Sequence, residues 1–318
     1  MHQKHLFIMD PLDKLNFKLD SSLRMASELS RLGHQCYFSV PIDLSWNSIA
    51  GRPFVKAASM EFEDFEPASV DLNSKQAYPM DEFSGIHMRK EPPFDMNYMS
   101  ITWLLDAVGQ KTQVFNAPSA LRSFNEKLGI MQFPEDIGPA LASFDPAEIL
   151  EFIKNSCNGD AIIKPLDLYG GRGIFRINLV EISEQQAFER LQEASQKGHQ
   201  MRLTQPFNQL IYEGEVRVFT IGGKALAWSL KKPSPGEFMA NTSSGATIHA
   251  YKPSEALSKK VERIASTLLT KGIPLLGFDI IGDLVSEINI TSPRLLQAPE
   301  DDRNYYGFIA SWLAQKCR

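Results

Sequence analysis

The residues best suited to chemistry cluster near the end of the chain, in Leu276-Gly-Phe-Asp279-Ile-Ile-Gly-Asp-Leu-Val-Ser-Glu287-Ile-Asn289-Ile290. Two β-branched apolar runs flank Gly282-Asp283, which reads as a hairpin. Glu287 and Asn289 stand two apart, so on a strand they share a face. Asp279 joins that face only if the loop has an odd number of residues, for example Gly282 to Leu284, which sets Asp279 opposite Glu287. The other face then carries Phe278, Ile280, Ile288 and Ile290, a core side. Two carboxylates and an amide oxygen over an apolar floor suit a hard cation. Mg²⁺ takes few protein oxygens and completes its octahedron with water and phosphate. A surface hairpin whose polar side meets water would carry the same residues, so the metal reading needs support from elsewhere in the chain.

Three other stretches offer that support. Ala161-Ile-Ile-Lys164 is a strand ending in a lysine, followed by Leu168-Tyr-Gly170-Gly171-Arg-Gly173 and a further strand. This loop lacks the Gly-Lys-Ser/Thr ending of a Walker sequence and opens no helix. It is either a plain hairpin turn or a loop that lays backbone N–H groups on phosphate oxygens. In Glu213-Gly-Glu215-Val-Arg217 the charges alternate, so Glu215 and Arg217 share a strand face. Arg89 ends the short strand Ile86-His-Met, just before two prolines, where ligands bind in open α/β sheets. It is either an ordinary exposed arginine or a bidentate clamp for a carboxylate.

Composition bounds the reading. The chain has 318 residues, 43% hydrophobic and 22% charged, which is a globular balance with room for two or three cores. A net charge of −5 and the lack of any basic block argue against nucleic acid. No apolar run reaches the length of a membrane span, and the N-terminal run has the size of a strand. Cys36, Cys157 and Cys317 are widely spaced, as reduced thiols of a cytoplasmic protein would be.

The elements that must position these residues follow in order. Leu6–Met9 reads as a buried strand, Asp20-Ser-Ser as the cap of a helix closed by Gly33, and Gln35–Val40 as a strand: a β-α-β opening. Residues 45–80 read as irregular and polar. Helices are expected from about Asn97 to Val108, from Ser119 to Leu128 carrying Lys127, and over Pro146–Ser156. Ser183 to Lys197, Ser254 to Lys271 and about Asp302 to Lys316 are also expected helices. Strands are expected at Met201–Gln205 and at Lys224–Leu230, the latter paired with Glu213–Ile221 across Gly222-Gly223. The Pro/Gly/Ser-rich stretch Pro233–Ala246 reads as a lid.

Taken together, Ile163-Lys-Pro-Leu-Asp, Gly-Gly-x-Gly-Ile-Phe-Arg, Gly-Phe-Asp-Ile-Ile-Gly-Asp and Glu-Ile-Asn-Ile-Thr-Ser-Pro resemble the bacterial glutathione synthetases, a family of the ATP-grasp superfamily. Met9-Asp-Pro, Asp20-Ser-Ser, Met88-Arg-Lys-Glu-Pro-Pro-Phe-Asp and Asn125-Glu-Lys-Leu extend the likeness over nearly the whole chain, the 45–80 region excepted. The resemblance implies an α/β chain with an ATP-grasp fold. An N-terminal pre-ATP-grasp α/β domain (1–122) would bind substrate. A central lid subdomain (123–203) and a C-terminal α+β catalytic subdomain (204–318) would follow. It implies an ATP-dependent carboxylate–amine ligase working through an acyl phosphate, joining γ-glutamylcysteine and glycine to make glutathione. The alternatives are a ligase with another amine acceptor or peptide, and a nucleotide-binding homologue without catalysis.

Residue by residue, the resemblance implies that Lys127 and Lys164 contact ATP phosphates and that Gly170, Gly171 and Gly173 close over them. Gln205 and Phe207 would pass the adenine, Glu215 the ribose, and Arg217 would face the reacting phosphoryl group. Asp279, Glu287 and Asn289 would hold Mg²⁺, two ions being expected, with Mn²⁺ as a substitute. Ser22, Arg89, Thr291 and Ser292 would face the peptide substrate, and the assembly would be a homo-oligomer, dimer or tetramer. Departures concentrate in the lid. Lys232 stands where the family has an arginine and Met239 where it has a second. Lysine lacks a planar bidentate grip on carboxylate and methionine lacks charge. Arg172 replaces a small residue of the glycine loop and adds charge beside the phosphates.

Overall fold

The computed structural model describes every residue except 1, 18, 64, 65, 242–244 and 318. Residues 242–244 belong to the expected lid, so that part of it lies outside the described residues.

The apolar opening run forms β1 (Lys4–Ile8), which lies parallel to both β2 (Gln35–Ser39) and β7 (Gly85–Met88). Parallel strands need crossovers, and α1 (Ser21–Arg31) supplies the one from β1 to β2. Its start is set by Asp20, whose carboxylate accepts from the N–H groups of Ser22 and Leu23 at 2.8 and 2.9 Å. Between β2 and β7 the chain is not irregular, as the sequence suggested. β3 (Leu44–Asn47), β4 (Arg52–Glu63), β5 (Glu66–Val70) and β6 (Gln76–Pro79) form an antiparallel extension of the sheet around β4. Along β4 the buried positions run Val55, Ala57 and then Ala58, Met60, with Lys56 and Ser59 exposed. That slip of one residue breaks the period of two by which strands are recognised.

After β7, α2 (Met96–Asp106) leads to β8 (Gln113–Phe115), the last parallel strand. The helix expected to carry Lys127 ends early: α3 covers only Pro118–Ser123. Asn125 explains the break, because its Oδ1 accepts from the N–H groups of Lys127 and Leu128 at 3.0 and 3.1 Å and offers them a turn instead of a helix.

A second, antiparallel sheet has the order β11-β10-β12-β9, from β9 (Leu141–Ser143), β10 (Asp160–Pro165), β11 (Phe175–Asn178) and β12 (Arg202–Pro206). Helices α4 (Pro146–Ser156) and α5 (Glu184–Ala194) cover it, burying Ile149, Ile153, Ile163, Ile177 and Leu191 in one cluster. The α5 helix stops short of Lys197 because Gln196 and Lys197 are left-handed, with φ of 48° and 56°.

The third sheet has the order β15-β14-β13-β16-β17 and is antiparallel throughout. It comprises β13 (Glu215–Ile221), β14 (Lys224–Lys232), β15 (Thr247–Ala250), β16 (Leu275–Ile281) and β17 (Leu284–Asn289). The helix α6 (Glu255–Leu269) packs Leu257, Val261, Ile264 and Leu268 into the cluster that also holds Val218, Phe278, Ile280 and Ile288. The last helix, α7 (Tyr305–Lys316), begins after Asp302 because Asn304 caps it by accepting from Gly307 N–H. Its Ile309 and Leu313 share a cluster with Phe7 and Leu29 of the first layer and Phe219 and Leu275 of the third sheet. The end of the chain thus joins the first layer to the third. Among the described residues no helix is long and apolar enough to cross a membrane.

The β16–β17 hairpin keeps its polar residues on one face by a different device from the one expected. Its loop is two residues, with Ile281 paired to Leu284 and Gly282 at φ 62°. Left alone, that parity would set Asp279 opposite Ser286. A bulge in the register after Asp279 leaves Ser286 unpaired and brings Asp279 opposite Glu287. The other face buries Phe278, Ile280, Ile288 and Ile290 completely. Replacing Phe278 by alanine should cost about 3–5 kcal/mol of unfolding free energy. Urea unfolding checks this, and a loss near zero would show that the hairpin does not depend on its apolar floor.

Candidate active site

Polar side chains of the third sheet form one wall of a cleft of about 620 Å³, and the second sheet with its glycine loop forms the other. The β13–β16–β17 register puts Arg217 opposite Asp279 and Asp279 opposite Glu287. Arg217 donates from Nη1 to Asp279 Oδ2 at 2.7 Å and from Nε to the carbonyl of Arg294 at 3.3 Å. Asn289 donates to the same Asp279 oxygen at 2.9 Å and to Gly277 O at 3.2 Å, which leaves its amide oxygen as the side turned from those bonds. Lys231, paired in register with Glu215, forms ion pairs with Glu215 and with Asp279 Oδ1, the latter at 2.8 Å. Burial alone would raise the Asp279 carboxyl, but Arg217 and Lys231 outweigh it and hold the group well below the usual carboxylate range. For Lys231 the balance runs the same way: burial lowers its ammonium, and Asp279 and Glu215 more than restore it.

Facing this array are the two expected phosphate lysines. Lys164, near the end of β10, donates to Ser286 Oγ at 2.9 Å and lies 3.4 Å from Ser286 O. The bulged residue is therefore the one that holds this lysine. Burial lowers the Lys164 pKa, and Glu287 opposes that effect. Lys127 is 3% exposed and donates to Leu168 O at 2.6 Å, with Glu287 Oε1 at 3.4 Å. Gly170, Gly171 and Gly173 all have left-handed φ, from 63° to 77°, which side chains rarely adopt. A Cβ on Gly171 would also lie 3.1 Å from Met239 Sδ, while Asn241 donates to Gly170 O. The lid thus rests on the glycine loop. Arg172 stacks over the Tyr169 ring at 4.9 Å. Gln205 and Phe207 line the far end of the cleft, and Phe207 carries the Arg176 guanidinium 3.8 Å from its centroid.

The region around Arg89, expected to face the peptide substrate, is equally built. Arg89 is 3% exposed and donates from Nε to Ser22 Oγ and from Nη2 to Pro293 O, both at 2.9 Å. Thr291 and Ser292 line the cleft beside it. Thus Ser22, Arg89, Thr291 and Ser292 come together, and Arg89 is not an ordinary exposed arginine. Lys232 does not join them: it is exposed on the face of β14 opposite Lys231 and does not line the cleft.

Residues the sequence left without a role also belong here. Glu126 is buried, and its Oε1 accepts from Ile290 N–H, Thr291 N–H and the Thr291 hydroxyl at 2.7–2.8 Å. Its place beside Lys127 in Asn125-Glu-Lys-Leu was the available signal. Lys231 had one too, the strand parity that sets it facing Glu215. Glu91 and Arg294 line the cleft, and burial, with help from Glu126, pushes the Glu91 carboxyl up to about 7.

The donor set fits a hard cation. Two carboxylates and an amide oxygen share one face, all lining the cleft, with room for phosphate and water to complete an octahedral shell. Among the described residues no group of three or more His, Cys, Asp and Glu is placed to hold a metal ion, and here the third donor is the amide of Asn289.

A nucleotide-sized cleft between two antiparallel sheets, with two lysines, a glycine loop and an acidic hairpin, defines an ATP-grasp enzyme. Solved structures match its fold end to end. D-cycloserine synthetase DcsG has a TM-score of 0.70 at 13% identity over 99% of this chain and 100% of its own. D-alanyl-alanine synthetase A from Vibrio cholerae has a TM-score of 0.65 at 13% identity over 99% and 98%. Within the class, the family models for the prokaryotic glutathione synthetase N-terminal domain and ATP-grasp domain match residues 3–122 and 126–303. The glutathione synthetase of Nitrosomonas europaea is 34% identical over 98% of both chains, and that of Ralstonia nicotianae 33% over 92% of this chain and 89% of its own. The chain belongs to the prokaryotic glutathione synthetase family and is an ATP-dependent ligase.

The raised Glu91 carboxyl makes stability depend on pH. The folded state binds its proton up to about 7 and the unfolded chain only up to its ordinary 4.5, so stability falls as pH rises through that window. Glu91→Gln cannot ionise. Its stability relative to the parent chain should rise between about pH 4.5 and about pH 8, read from urea midpoints. A difference that does not change with pH would refute the burial of this charge.

Proposed function

We propose that this enzyme joins γ-glutamylcysteine and glycine to make glutathione. The observation that carries it is the convergence of Lys127, Lys164 and Arg217 on the Asp279–Glu287–Asn289 face, with Arg89, Ser22 and the Thr291–Pro293 turn at the adjoining end. A carboxylate is a poor electrophile, and transfer of the γ-phosphoryl group of ATP to it gives an acyl phosphate. The acceptor amine then attacks the acyl carbon, the amide bond forms, and inorganic phosphate leaves. Such transfer needs in-line positioning and charge neutralisation more than covalent help. Lys164 lines the cleft and Lys127 stands behind Glu287 as cations for the phosphates, and Arg217 faces the transferred group. Asp279, Glu287 and Asn289 would hold Mg²⁺, with Mn²⁺ as a substitute, and the metal supplies charge neutralisation across the phosphate oxygens. Gln205 and Phe207 take the adenine end and Glu215 the ribose. The glycine loop and the lid exclude water, which would otherwise hydrolyse the acyl phosphate.

The proposal keeps the division of labour among residues 1–122, 123–203 and 204–318, a cytoplasmic site of action and a homo-oligomeric assembly. Cys36, Cys157 and Cys317 are free and buried, which supports a reducing compartment. A second reading, the same donor chemistry with another amine acceptor, is favoured by the lid. Lys232 faces away from the cleft, and Met239 puts a thioether where a carboxylate-binding charge would serve.

Phosphate release from ATP with Mg²⁺ and γ-glutamylcysteine, with and without glycine, tests both. Glycine-dependent release with glutathione in the product is expected. Release indifferent to glycine would move the acceptor to another amine, and no release with either substrate would end the proposal. Glu287→Gln should lower kcat/KM by about 10²–10³-fold or more with the urea midpoint retained. Full activity in that variant would remove Glu287 from the metal site.

A further inference from the structure

We propose that the ammonium group of Lys231 stands in for the charge of one of the two divalent cations expected from the family resemblance, so that this chain binds its nucleotide with a single Mg²⁺. The inference rests on the ATP and metal reading above and narrows it: Asp279 is held by Lys231 and Arg217, and the metal ligands that remain are Glu287 and Asn289. Lys231 sits on β14 directly across from Glu215 on β13, whose neighbour on the same face, Arg217, lies directly across from Asp279 on β16. From there the lysine reaches over to Asp279 and holds both carboxylates, with its side chain only 12% exposed. Lys232 next to it is exposed on the opposite face, so the two lysines are not interchangeable.

Asp279 is fully engaged. Its Oδ1 accepts from Lys231, and its Oδ2 accepts from Arg217 and Asn289. A metal ion drawing on Asp279 would have to displace an ammonium that already neutralises two buried acids, and leave that ammonium in a site crowded with cations. Glu287 is different. Its ion pair is with Lys127 at 3.4 Å, longer than any contact made by Asp279. Together with the amide oxygen of Asn289 it offers ligand capacity for one ion, open to phosphate oxygens in the cleft. Lysine supplies charge but neither coordination nor Lewis acidity. It can therefore stand in for the ion whose task is to neutralise, and the position at Glu287 and Asn289 keeps the ion that must coordinate.

Counting Mn²⁺ by electron paramagnetic resonance, with the full chain and a non-hydrolysable ATP analogue, decides the matter. One Mn²⁺ per chain is expected for the natural sequence, two for Lys231→Met, and one for Lys231→Arg, which keeps the charge. Two ions in the natural sequence would overturn the proposal, as would a single ion in Lys231→Met. If the uncovered acids prevent Lys231→Met from folding, Glu215→Gln combined with Lys231→Met removes one of them and should also bind two. Failure of the analogue to bind, or binding without any Mn²⁺, would instead sink the ATP and metal reading on which the proposal stands.

Discussion

Everything in the cleft depends on the cross-strand ion pair between Arg217 and Asp279. Both are buried, and a buried charge is tolerable only when paired and hydrogen-bonded. The pair fixes which residues of β13 and β16 face the ligand and, through strand alternation, which follow: Glu215 beside Arg217, then Glu287 and Asn289 across from Asp279 and Gly277. Gly277 is part of the same constraint. A Cβ there would stand 2.8 Å from Arg217 Nη2, so the guanidinium can lie flat over the strand only because position 277 has no side chain. Removing Asp279 would leave Arg217 as an uncompensated buried charge, which is costlier than never having had the pair.

The segment after β17 leaves the sheet, and its backbone polar groups need partners elsewhere. The first layer and the segment that follows α3 supply them. Glu126 accepts from Ile290 and Thr291, Asn116 donates to Leu275 O and Ile290 O at 2.9 and 2.7 Å, and Arg89 donates to Pro293 O. Asn116 and Arg89 each follow directly on a parallel strand of the first sheet. The substrate end is thus stitched across two sheets, with no single element able to form it alone. This is why a loop such as Thr291–Pro293 can hold a defined shape at the mouth of a cleft.

Much of this was legible. The alternation of Asp279, Glu287 and Asn289 against Phe278, Ile280 and Ile288 gave both faces of the hairpin, because strand period and burial agree there. The parity device was not legible. A two-residue Gly282-Asp283 loop and a three-residue loop leave nearly the same sequence signature, and a bulge at Ser286 carries no distinctive residue of its own. The β4 extension was hidden by its slip at Ala57–Ala58. The residues of Ser119–Leu128 predict a helix through Lys127, whereas one Asn125 side chain captures the N–H groups that helix would need. Lys231 and Lys232 are adjacent lysines on one strand, the resemblance points to Lys232, and only sheet parity distinguishes the two.

That parity also bears on how the cleft, on the proposed reading, can hold an acceptor carboxylate. The lid contributes neither guanidinium expected of it, since position 232 faces away and position 239 is methionine against Gly171. Two other guanidinium groups line the cleft besides Arg217: Arg172 in the glycine loop and Arg294 beyond the Thr291–Pro293 turn. Arg172 is stacked on Tyr169, which restricts its rotation and lowers the entropy lost when it binds an anion. On the proposed reading, the guanidinium charge available to an acceptor thus lies on the glycine loop and beyond the Thr291–Pro293 turn, not on the lid. A carboxylate held from the glycine loop would be gripped only when that loop is itself in place, so acceptor binding and closure over ATP would depend on one element instead of two.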